Sequence, residues 1–347
     1  MAGTYTIEDA DPAACGEAIR TLWVDNLQGH TPQSAHAKLA LGYVDNPAGA
    51  GSVLLLFADG EPVAKGVQGL HPRTFHHGDR RLRAAGLADF AVDAGHRSLG
   101  PALMLMRSGV QRAGERFDMT YGLPNAKAAP VCQRAGLKRI GAMRRHAKPL
   151  RSRALLTQRL PGWMAGVAAP LVDLALRTID AVRAARLPMR LVFRGCDWDD
   201  PSLDALWARR DPQRLWSERS AEMLRWRFGD PSRGDWRIGV AADRDGHARG
   251  HVTWRLIDGF AEVGDFFTPT PERTTAPLLM AFTRAARHAG AASISLGFFG
   301  SPAVERELAK AGFRVRPQTA PVFVAPGGAA PESAEAWHLT AFDNDAD

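Results

Sequence analysis

The sequence predicts a mixed α/β (α+β) fold with two tandem units, each a mixed, mostly antiparallel sheet flanked by helices. Short apolar runs of strand length alternate with amphipathic stretches of helix length in both halves of the chain. The order of elements repeats, and LADFAV at 87–92 echoes VGDFFT at 263–268. We therefore expect one domain at 1–150, a basic helical linker at 151–189 and a second domain at 190–347.

Turn signals and helical spacing predict the elements of the first unit. The apolar run Ser52–Ala58 ends at Asp59 and Gly60, a pair typical of a hairpin turn. Apolar residues from Leu103 onward recur at helical spacing, and Pro101 suits the first turn of that helix. In chain order we expect a helix at 13–27, strands at 52–58, 62–70 and 84–92, a helix at 101–114, a strand at 117–123 and a short helix at 129–135.

The second unit repeats this order after the basic stretch. The stretch at 151–188 is rich in helix-forming residues, and Pro161 and Pro170 interrupt it. Its apolar run is too short and too broken for a transmembrane helix. The second unit is expected to hold two strands within 236–254, a strand at 261–267, a helix at 274–289, a strand at 292–298, a helix at 302–311 and a last strand before an acidic tail.

Composition excludes several classes of protein. The chain has 347 residues with 45% hydrophobic and 23% charged residues, which are ordinary globular values. Cys15, Cys132 and Cys196 lie far apart and match no metal-ligand spacing, and their odd number argues against a disulfide framework. No apolar signal sequence opens the chain, so we expect a cytoplasmic protein. Ten Lys and Arg against two acids at 144–190 account for the net charge of +7, which argues against nucleic-acid binding.

An anion-binding loop is predicted between the strand at 84–92 and the following helix. Backbone N–H groups at a helix N-terminus hold a pyrophosphate without a metal, and the helix dipole assists them. Gly100 lets the backbone approach the phosphates, Ala102 is small, and Arg97 can add a charge-assisted contact. The residues expected to form this loop are Arg97, Ser98, Leu99, Gly100, Pro101 and Ala102.

The segments ADFAVDAGHRSLGPA at 88–102 and PNAKAAPVCQRAGL at 124–137 resemble the acyl-CoA-binding core of the GNAT superfamily of N-acyltransferases. The resemblance covers about residues 5–150 and, more weakly, 190–325, which implies a tandem GNAT protein. It implies acetyl-CoA or a longer acyl-CoA as cosubstrate, no metal, and a pyrophosphate held by the 97–102 loop. It also implies that pantetheine pairs with the strand edge at Phe90, Ala91 and Val92, and that Asn125 lies near the thioester.

Two residues are candidates for catalysis of amine attack on a thioester. Asp89 stands where members of the family often carry a carboxylate, and it would accept the amine proton through water; the alternative is a purely local role. The family often has a tyrosine seven residues after the asparagine, and here that position is Cys132. The Cys132 thiol could protonate the leaving thiolate, but we favour the alternative that it is a small apolar filler.

The second copy departs further from the family pattern, so we expect no CoA site there. After Asp265 there is no Arg-x-x-Gly-x-Gly/Ala sequence, and Ser301 takes the place of Asn125. The predicted function is acyl transfer to a primary amine of a small molecule, an amino sugar or a peptide. The alternatives are a non-catalytic acyl-CoA sensor or scaffold and a peptidoglycan-type aminoacyl transferase, and the CoA-type loop argues against the latter.

Three other features have competing interpretations. His71, His76 and His77 with Asp79 match no zinc pattern, and we expect a solvated loop there. Four tryptophans of the second half are expected in the core rather than on a sugar-binding platform. The 151–188 segment could lie at the inner membrane face, with arginines against anionic lipid, but we favour a packed linker because its prolines would break a long amphipathic face. Oligomeric state is not predicted.

Overall fold

The computed structural model describes residues 5–157 and 160–344, so the end of the predicted acidic tail at 345–347 lies outside the described residues. The mixed α/β fold with two repeated units is confirmed. The first unit and the segment after it contain β1 (Tyr5–Ala10), α1 (Gly16–Asn26), α2 (Pro32–Leu39), β2 (Ser52–Ala58), β3 (Ala64–His77), β4 (Arg80–Val92), α3 (Leu99–Arg116), β5 (Met119–Gly122), α4 (Ala129–Arg134), β6 (Lys138–Pro149), α5 (Arg153–Leu156) and α6 (Gly162–Ala185).

The second unit follows the same order with additional short elements. It contains β7 (Val192–Cys196), α7 (Pro201–Ala208), β8 (Leu215–Ser217), α8 (Ala221–Phe228), β9 (Arg237–Ala242), β10 (Ala248–Ile257), β11 (Phe260–Phe267), α9 (Pro271–His288), β12 (Ser293–Gly300), α10 (Pro302–Lys310), β13 (Arg314–Val324) and β14 (Trp337–Leu339).

Local sequence explains several of these boundaries. Strand β2 covers Ser52–Ala58 as expected, and Gly60 takes φ +76° in the following turn, a conformation that glycine adopts without steric cost. Helix α2 begins with a reciprocal capping box in which Thr31 and Ser34 satisfy each other's backbone N–H groups. The helix predicted at 101–114 lies within α3.

Two expectations about local structure were wrong. The histidine-rich stretch is not a solvated loop: β3 continues through His77 and pairs with β4, and His71 is buried. Pairing with β4 across the adjacent hairpin turn satisfies the backbone polar groups of this stretch, so it needs no solvent. Pro170 does not interrupt the 151–188 segment, because α6 runs through it as one helix of 24 residues. Pro170 is exposed on this helix.

The two units exchange strands within one 14-stranded sheet of the described residues. Twelve of its strands follow the order β1-β2-β3-β4-β5-β13-β6-β12-β11-β10-β9-β7, and β8 and β14 pair with each other and with β3 and β12, respectively. Strand β13 of the second unit therefore lies between β5 and β6, and β6 of the first unit lies between β12 and β13. Each unit depends on the other to complete its sheet. The domain boundaries expected from the sequence stay a prediction.

The expected core role of the second-unit tryptophans is confirmed. Trp207 and Trp216 are buried in one cluster with α7, α8 and Phe267, and Trp226 and Trp236 pack against it. Large aromatic side chains there bury apolar area between the helices and the sheet.

Candidate active site

A cleft opens where two parallel strands of the first unit separate. Pairing of β4 with β5 ends at Leu87 and Gly122, whereas β4 continues for five more residues to Val92. A cavity of about 650 Å³ occupies this opening. Four of the residues expected at the site line it together, namely Asp89, Phe90, Asn125 and Cys132.

A β-bulge fixes the strand at the head of the cleft. The register of β3 against β4 shifts so that Gln68 lies opposite both Asp89 and Phe90, and Asp89 has φ +54°. The Gln68 side chain donates hydrogen bonds of 2.9 Å to the carbonyl oxygens of Gly69 and Ala88. These bonds satisfy backbone groups that the bulge removes from the ladder, so the unusual conformation at Asp89 is held in place.

The Asp89 carboxylate is enclosed by three donors. Lys38 Nζ lies 2.8 Å from Oδ1, Tyr43 Oη donates to Oδ2 at 2.7 Å, and His71 Nε2 lies 3.2 Å from Oδ2. The side chain is 1% exposed. Burial by itself would raise the pKa of Asp89, but Lys38 and His71 lower it well below its usual range. A buried carboxylate that is held as an anion in this way is a weak base, which argues against Asp89 as the acceptor of the amine proton.

Glycines make room for the rings around this carboxylate. A Cβ at Gly69 would lie 1.7 Å from Tyr43 Oη, and one at Gly42 would lie 2.5 Å from His71 Nε2. Neither side chain could reach Asp89 if these positions carried alanine. The enclosure is therefore specified by small residues on β3 and next to α2.

Cys132 lies against the wall of the cleft in an apolar setting. It is 3% exposed and packs with Met106, Leu137 and Phe323. Burial raises the pKa of its thiol to about 11. Such a thiol is a weaker acid than an ordinary thiol of pKa about 8.5, so proton transfer to a leaving thiolate would be uphill. The geometry supports the filler interpretation.

Asn125 lies in the turn that precedes α4, and it lines the cleft. Its Oδ1 accepts hydrogen bonds of 3.0 Å from the backbone N–H groups of Lys127 and Ala128, and its carbonyl accepts one from Ala129. This turn uses the side-chain oxygen and leaves the Nδ2 group as a donor for the cleft.

The 97–102 loop lies at the rim of the cleft and is not part of its lining. Ser98 is the N-cap of α3 without a side-chain cap, and a Cβ on exposed Gly100 would meet nothing within 4 Å. The first turn of α3 thus offers unsatisfied N–H groups to an approaching anion. The Arg97 side chain donates to Val92 O at 2.9 Å and to Asn26 Oδ1 at 2.8 Å, and Asn26 lines the cleft.

The remaining expected contacts divide between core and surface. Ala91 and Val92 have buried side chains on opposite faces of β4, so only their backbone could meet a ligand. Pro101 is buried and Ala102 packs against the core behind α3. The side chain of Leu99 lies outside the described part of the chain.

The corresponding opening in the second unit is filled by the chain itself. Pairing of β11 with β12 ends at Val263 and Leu296, and β14 then pairs with the free part of β12. His338 of β14 donates from Nε2 to Phe266 O at 3.2 Å, in the place where β11 and β12 separate. Burial lowers the pKa of His338 to about 3, so the ring is neutral and fully enclosed. Strand β14 and the His338 ring thus occupy part of this opening, in the place where β5 and β4 leave a cleft in the first unit.

Sequence reasoning missed the residues that reach the cleft from distant segments. Lys38 and Tyr43 come from α2 and the turn after it, whereas Thr319 and Ala320 come from β13 of the second unit. Asn344, close to the end of the described chain, also lines the cleft. Among the contacts of Asp89 from distant segments, the sequence analysis singled out His71 alone, as a member of the histidine cluster.

Comparisons with known proteins identify the fold. No protein-family model and no curated protein sequence matches the chain. Its structure is similar to that of a conserved protein of unknown function from Enterococcus faecalis V583, with a TM-score of 0.63 and 13% identity over 92% of this chain and 72% of that chain. A GCN5-related N-acetyltransferase from Anabaena variabilis ATCC 29413 gives a TM-score of 0.59 and 11% identity over the same shares of both chains.

A third similar structure spans most of both molecules. Saccharomyces cerevisiae N-myristoyltransferase with bound myristoyl-CoA gives a TM-score of 0.54 and 12% identity over 96% of this chain and 89% of that chain. The protein therefore has the fold of the GCN5-related N-acetyltransferases. The strands β4 and β5 of the first unit leave a cleft between them, whereas β14 pairs with β12 where β11 and β12 separate in the second unit.

Proposed function

We propose that this protein transfers an acyl group from an acyl-CoA to a primary amine of a small molecule, an amino sugar or a peptide. One observation carries the proposal: in the first unit, the opening between β4 and β5 adjoins an uncapped helix N-terminus with open space over Gly100. An acyl-CoA needs both features, a strand edge for its pantetheine amides and N–H groups for its pyrophosphate.

The substrate would extend from the rim of the cleft to its centre. The N–H groups of Leu99, Gly100 and Ala102 would hold the pyrophosphate, and the backbone edge of β4 at Phe90, Ala91 and Val92, which β5 does not cover, would pair with pantetheine. The Nδ2 group of Asn125 would orient the thioester end. An α3 side chain, Met106, also lines the cleft and would contact the pantetheine chain.

The reaction follows from the groups available in the cleft. The amine nitrogen attacks the thioester carbonyl, a backbone N–H of β4 stabilises the oxyanion, and the C–S bond then breaks to release the CoA thiolate. We assign Asp89 a positioning role through Lys38, Tyr43 and His71, and not the role of base. The amine proton then passes to water, and the thiolate leaves without a proton from Cys132.

A non-catalytic acyl-CoA sensor is the second candidate, and the buried, weakly acidic Cys132 favours it. A peptidoglycan-type aminoacyl transferase has less support, because it has no use for a pyrophosphate site at α3. Thiol release from acetyl-CoA across a panel of amines separates the first two functions. Turnover with any amine supports the enzyme, and CoA binding without turnover on the whole panel supports the sensor.

The loop assignment is tested with a pair of glycine variants on one helix. Gly100→Glu places a carboxylate where the pyrophosphate would lie, and we expect acyl-CoA affinity to fall by about 100-fold or more. Gly114→Glu adds the same residue at the other end of α3, where a Cβ also meets nothing within 4 Å, and should leave affinity unchanged.

The measurement is isothermal titration calorimetry with acetyl-CoA, with thermal unfolding as a check that both variants fold. If Gly100→Glu binds as tightly as the Gly114→Glu control, the pyrophosphate does not lie at this loop.

A further inference from the structure

Helix α6 exposes an apolar surface that none of the other described residues covers. Eight of its large apolar side chains are between 38% and 75% exposed. At 3.6 residues per turn they occupy about half of the helix circumference, or ~180°. They are Trp163, Met164, Val167, Leu171, Val172, Leu174, Ile179 and Val182. The buried side of α6 is narrow and consists mainly of small residues, with Ala165, Ala169 and Ala184 against the body of the protein.

The two acids of α6 are both used inside the fold. Asp173 accepts hydrogen bonds from the backbone N–H and the hydroxyl of Ser152, at 2.6 and 2.8 Å. Asp180 is buried between Lys148 Nζ at 2.9 Å and Arg287 at 2.8 Å. These ion pairs anchor α6 to β6 and α9, so the helix holds a fixed orientation with its acids turned inward.

The charges that remain exposed around α6 are positive. From Gly162 to Leu176 the sequence holds one charged residue, Asp173. Exposed arginines flank that stretch on both sides, namely Arg151, Arg153, Arg177, Arg186 and Arg190. The surface is therefore apolar in the middle and cationic at both ends, which is the pattern of helices that lie in a membrane interface.

We propose that α6 docks this protein on the surface of a bilayer that contains anionic lipids. The apolar half of the helix enters the boundary between headgroups and acyl chains, and the flanking arginines contact lipid phosphates. Among the described residues no helix is long and apolar enough to cross a membrane, so α6 lies in the plane of the surface. This inference concerns a surface outside the cleft and does not depend on the proposed acyl transfer.

The same surface fits a second copy of the chain less well. A helix partner covers a stripe of about 100°, which would leave much of the apolar arc in water. A symmetric contact along α6 would also bring the arginines of both copies together, and like charges repel at short range. A bilayer surface covers the whole arc and supplies the opposite charge.

The test is co-sedimentation of the full chain with vesicles of phosphatidylcholine alone or with one third phosphatidylglycerol. We expect at least about tenfold stronger binding to the anionic vesicles, and weaker binding as salt is raised. The variant Val167→Glu/Leu171→Glu/Leu174→Glu should lose that binding by about tenfold or more. The control Val63→Glu/Ile257→Glu/Phe260→Glu changes the net charge equally at exposed apolar positions elsewhere and should keep it.

Hydrogen exchange on the unmodified protein gives a second readout that does not depend on the folding of a variant. Amides of 162–185 should gain protection on anionic vesicles, while those of the β9–β10 hairpin should not. Absence of binding to both kinds of vesicle overturns the proposal. Equal loss of vesicle binding in the two triple variants also overturns it. A third contrary result is a dimer of the unmodified protein in sedimentation velocity that the α6 substitutions dissociate, with no vesicle binding by the unmodified protein or the α6 variant.

Discussion

Asp89→Asn separates an anchoring role of Asp89 from a role as base. The substitution keeps the shape of the side chain and one hydrogen-bond acceptor. Asparagine also tolerates the left-handed backbone at φ +54°. The substitution removes the negative charge of Asp89. Because Lys38 is 6% exposed, its ammonium group then stays buried after the loss of the Asp89 carboxylate.

The magnitude follows from the burial of that pair. Removing one partner of a buried ion pair costs about 3–5 kcal/mol of unfolding free energy. Lys38 can limit the loss by giving up its proton, which at pH 7 and an ordinary pKa of about 10.4 costs about 4.6 kcal/mol. We therefore expect Asp89→Asn to lower the free energy of unfolding by about 3–5 kcal/mol. The double variant Lys38→Met/Asp89→Asn should recover most of it, because the buried ammonium group is removed together with its carboxylate partner.

Urea denaturation followed by circular dichroism at pH 7 measures these differences, and the second unit supplies a matched control. Asp265 is also fully buried, but its partner Arg219 keeps a second carboxylate, Asp343, at 2.5 Å. Asp265→Asn should cost less, about 1.5–3 kcal/mol, and it should leave acyl transfer unchanged because Asp265 does not line the cleft.

Acid titration provides an independent readout for the same carboxylate. The pKa of Asp89 is lowered in the folded state, so its stabilising contribution is present above pH ~4 and is lost as the pH falls toward the lowered value. Asp89→Asn should show a smaller acid dependence there. If the variant keeps its stability within about 1 kcal/mol while kcat falls by more than about 100-fold, Asp89 is the base and the anchoring role is wrong.

Two further predictions concern the wall of the cleft and the filled opening. Cys132→Ala should retain kcat within about threefold, because the buried thiol contributes packing and not a proton. A fall in kcat of more than about tenfold in steady-state assays would instead support Cys132 as the proton donor. The pKa values of His338 and His146 are lowered by burial to about 3 and about 4, so each contributes stability above pH ~6.5 that is lost at about 1.4 kcal/mol per pH unit below it. His338→Gln should remove about half of this pH dependence of the unfolding free energy, measured by urea denaturation between pH 6.5 and 5. An unchanged pH dependence would refute the conclusion that His338 is buried and neutral in the folded state.

Local patterns in the sequence determined most individual elements. The apolar run Ser52–Ala58 and the turn at Gly60 predicted β2 with its bounds, and helical spacing predicted the centre of α3. The echo between 87–92 and 263–268 predicted the repeat. These signals are local, because a helix or hairpin satisfies its backbone hydrogen bonds within a few residues of sequence.

Strands β6 and β13 could not be found in this way. Most residues of β13 are exposed or half-buried, and β6 shows no clean alternation of burial. Each forms its ladder with a strand of the other unit, and the residues within a short stretch of sequence do not indicate such a distant partner.

For the candidate site, the sequence placed Asp89, Phe90, Asn125 and Cys132 near one another, since the end of β4 and the start of α4 meet at one edge of the sheet. Only the tertiary structure decided what these residues contact. Lys38, Tyr43 and His71 convert Asp89 from a candidate base into a buried anion, and β14 fills the second opening. The physical reason is that a carboxylate's pKa and the space beside a strand depend on groups that folding brings from far along the chain.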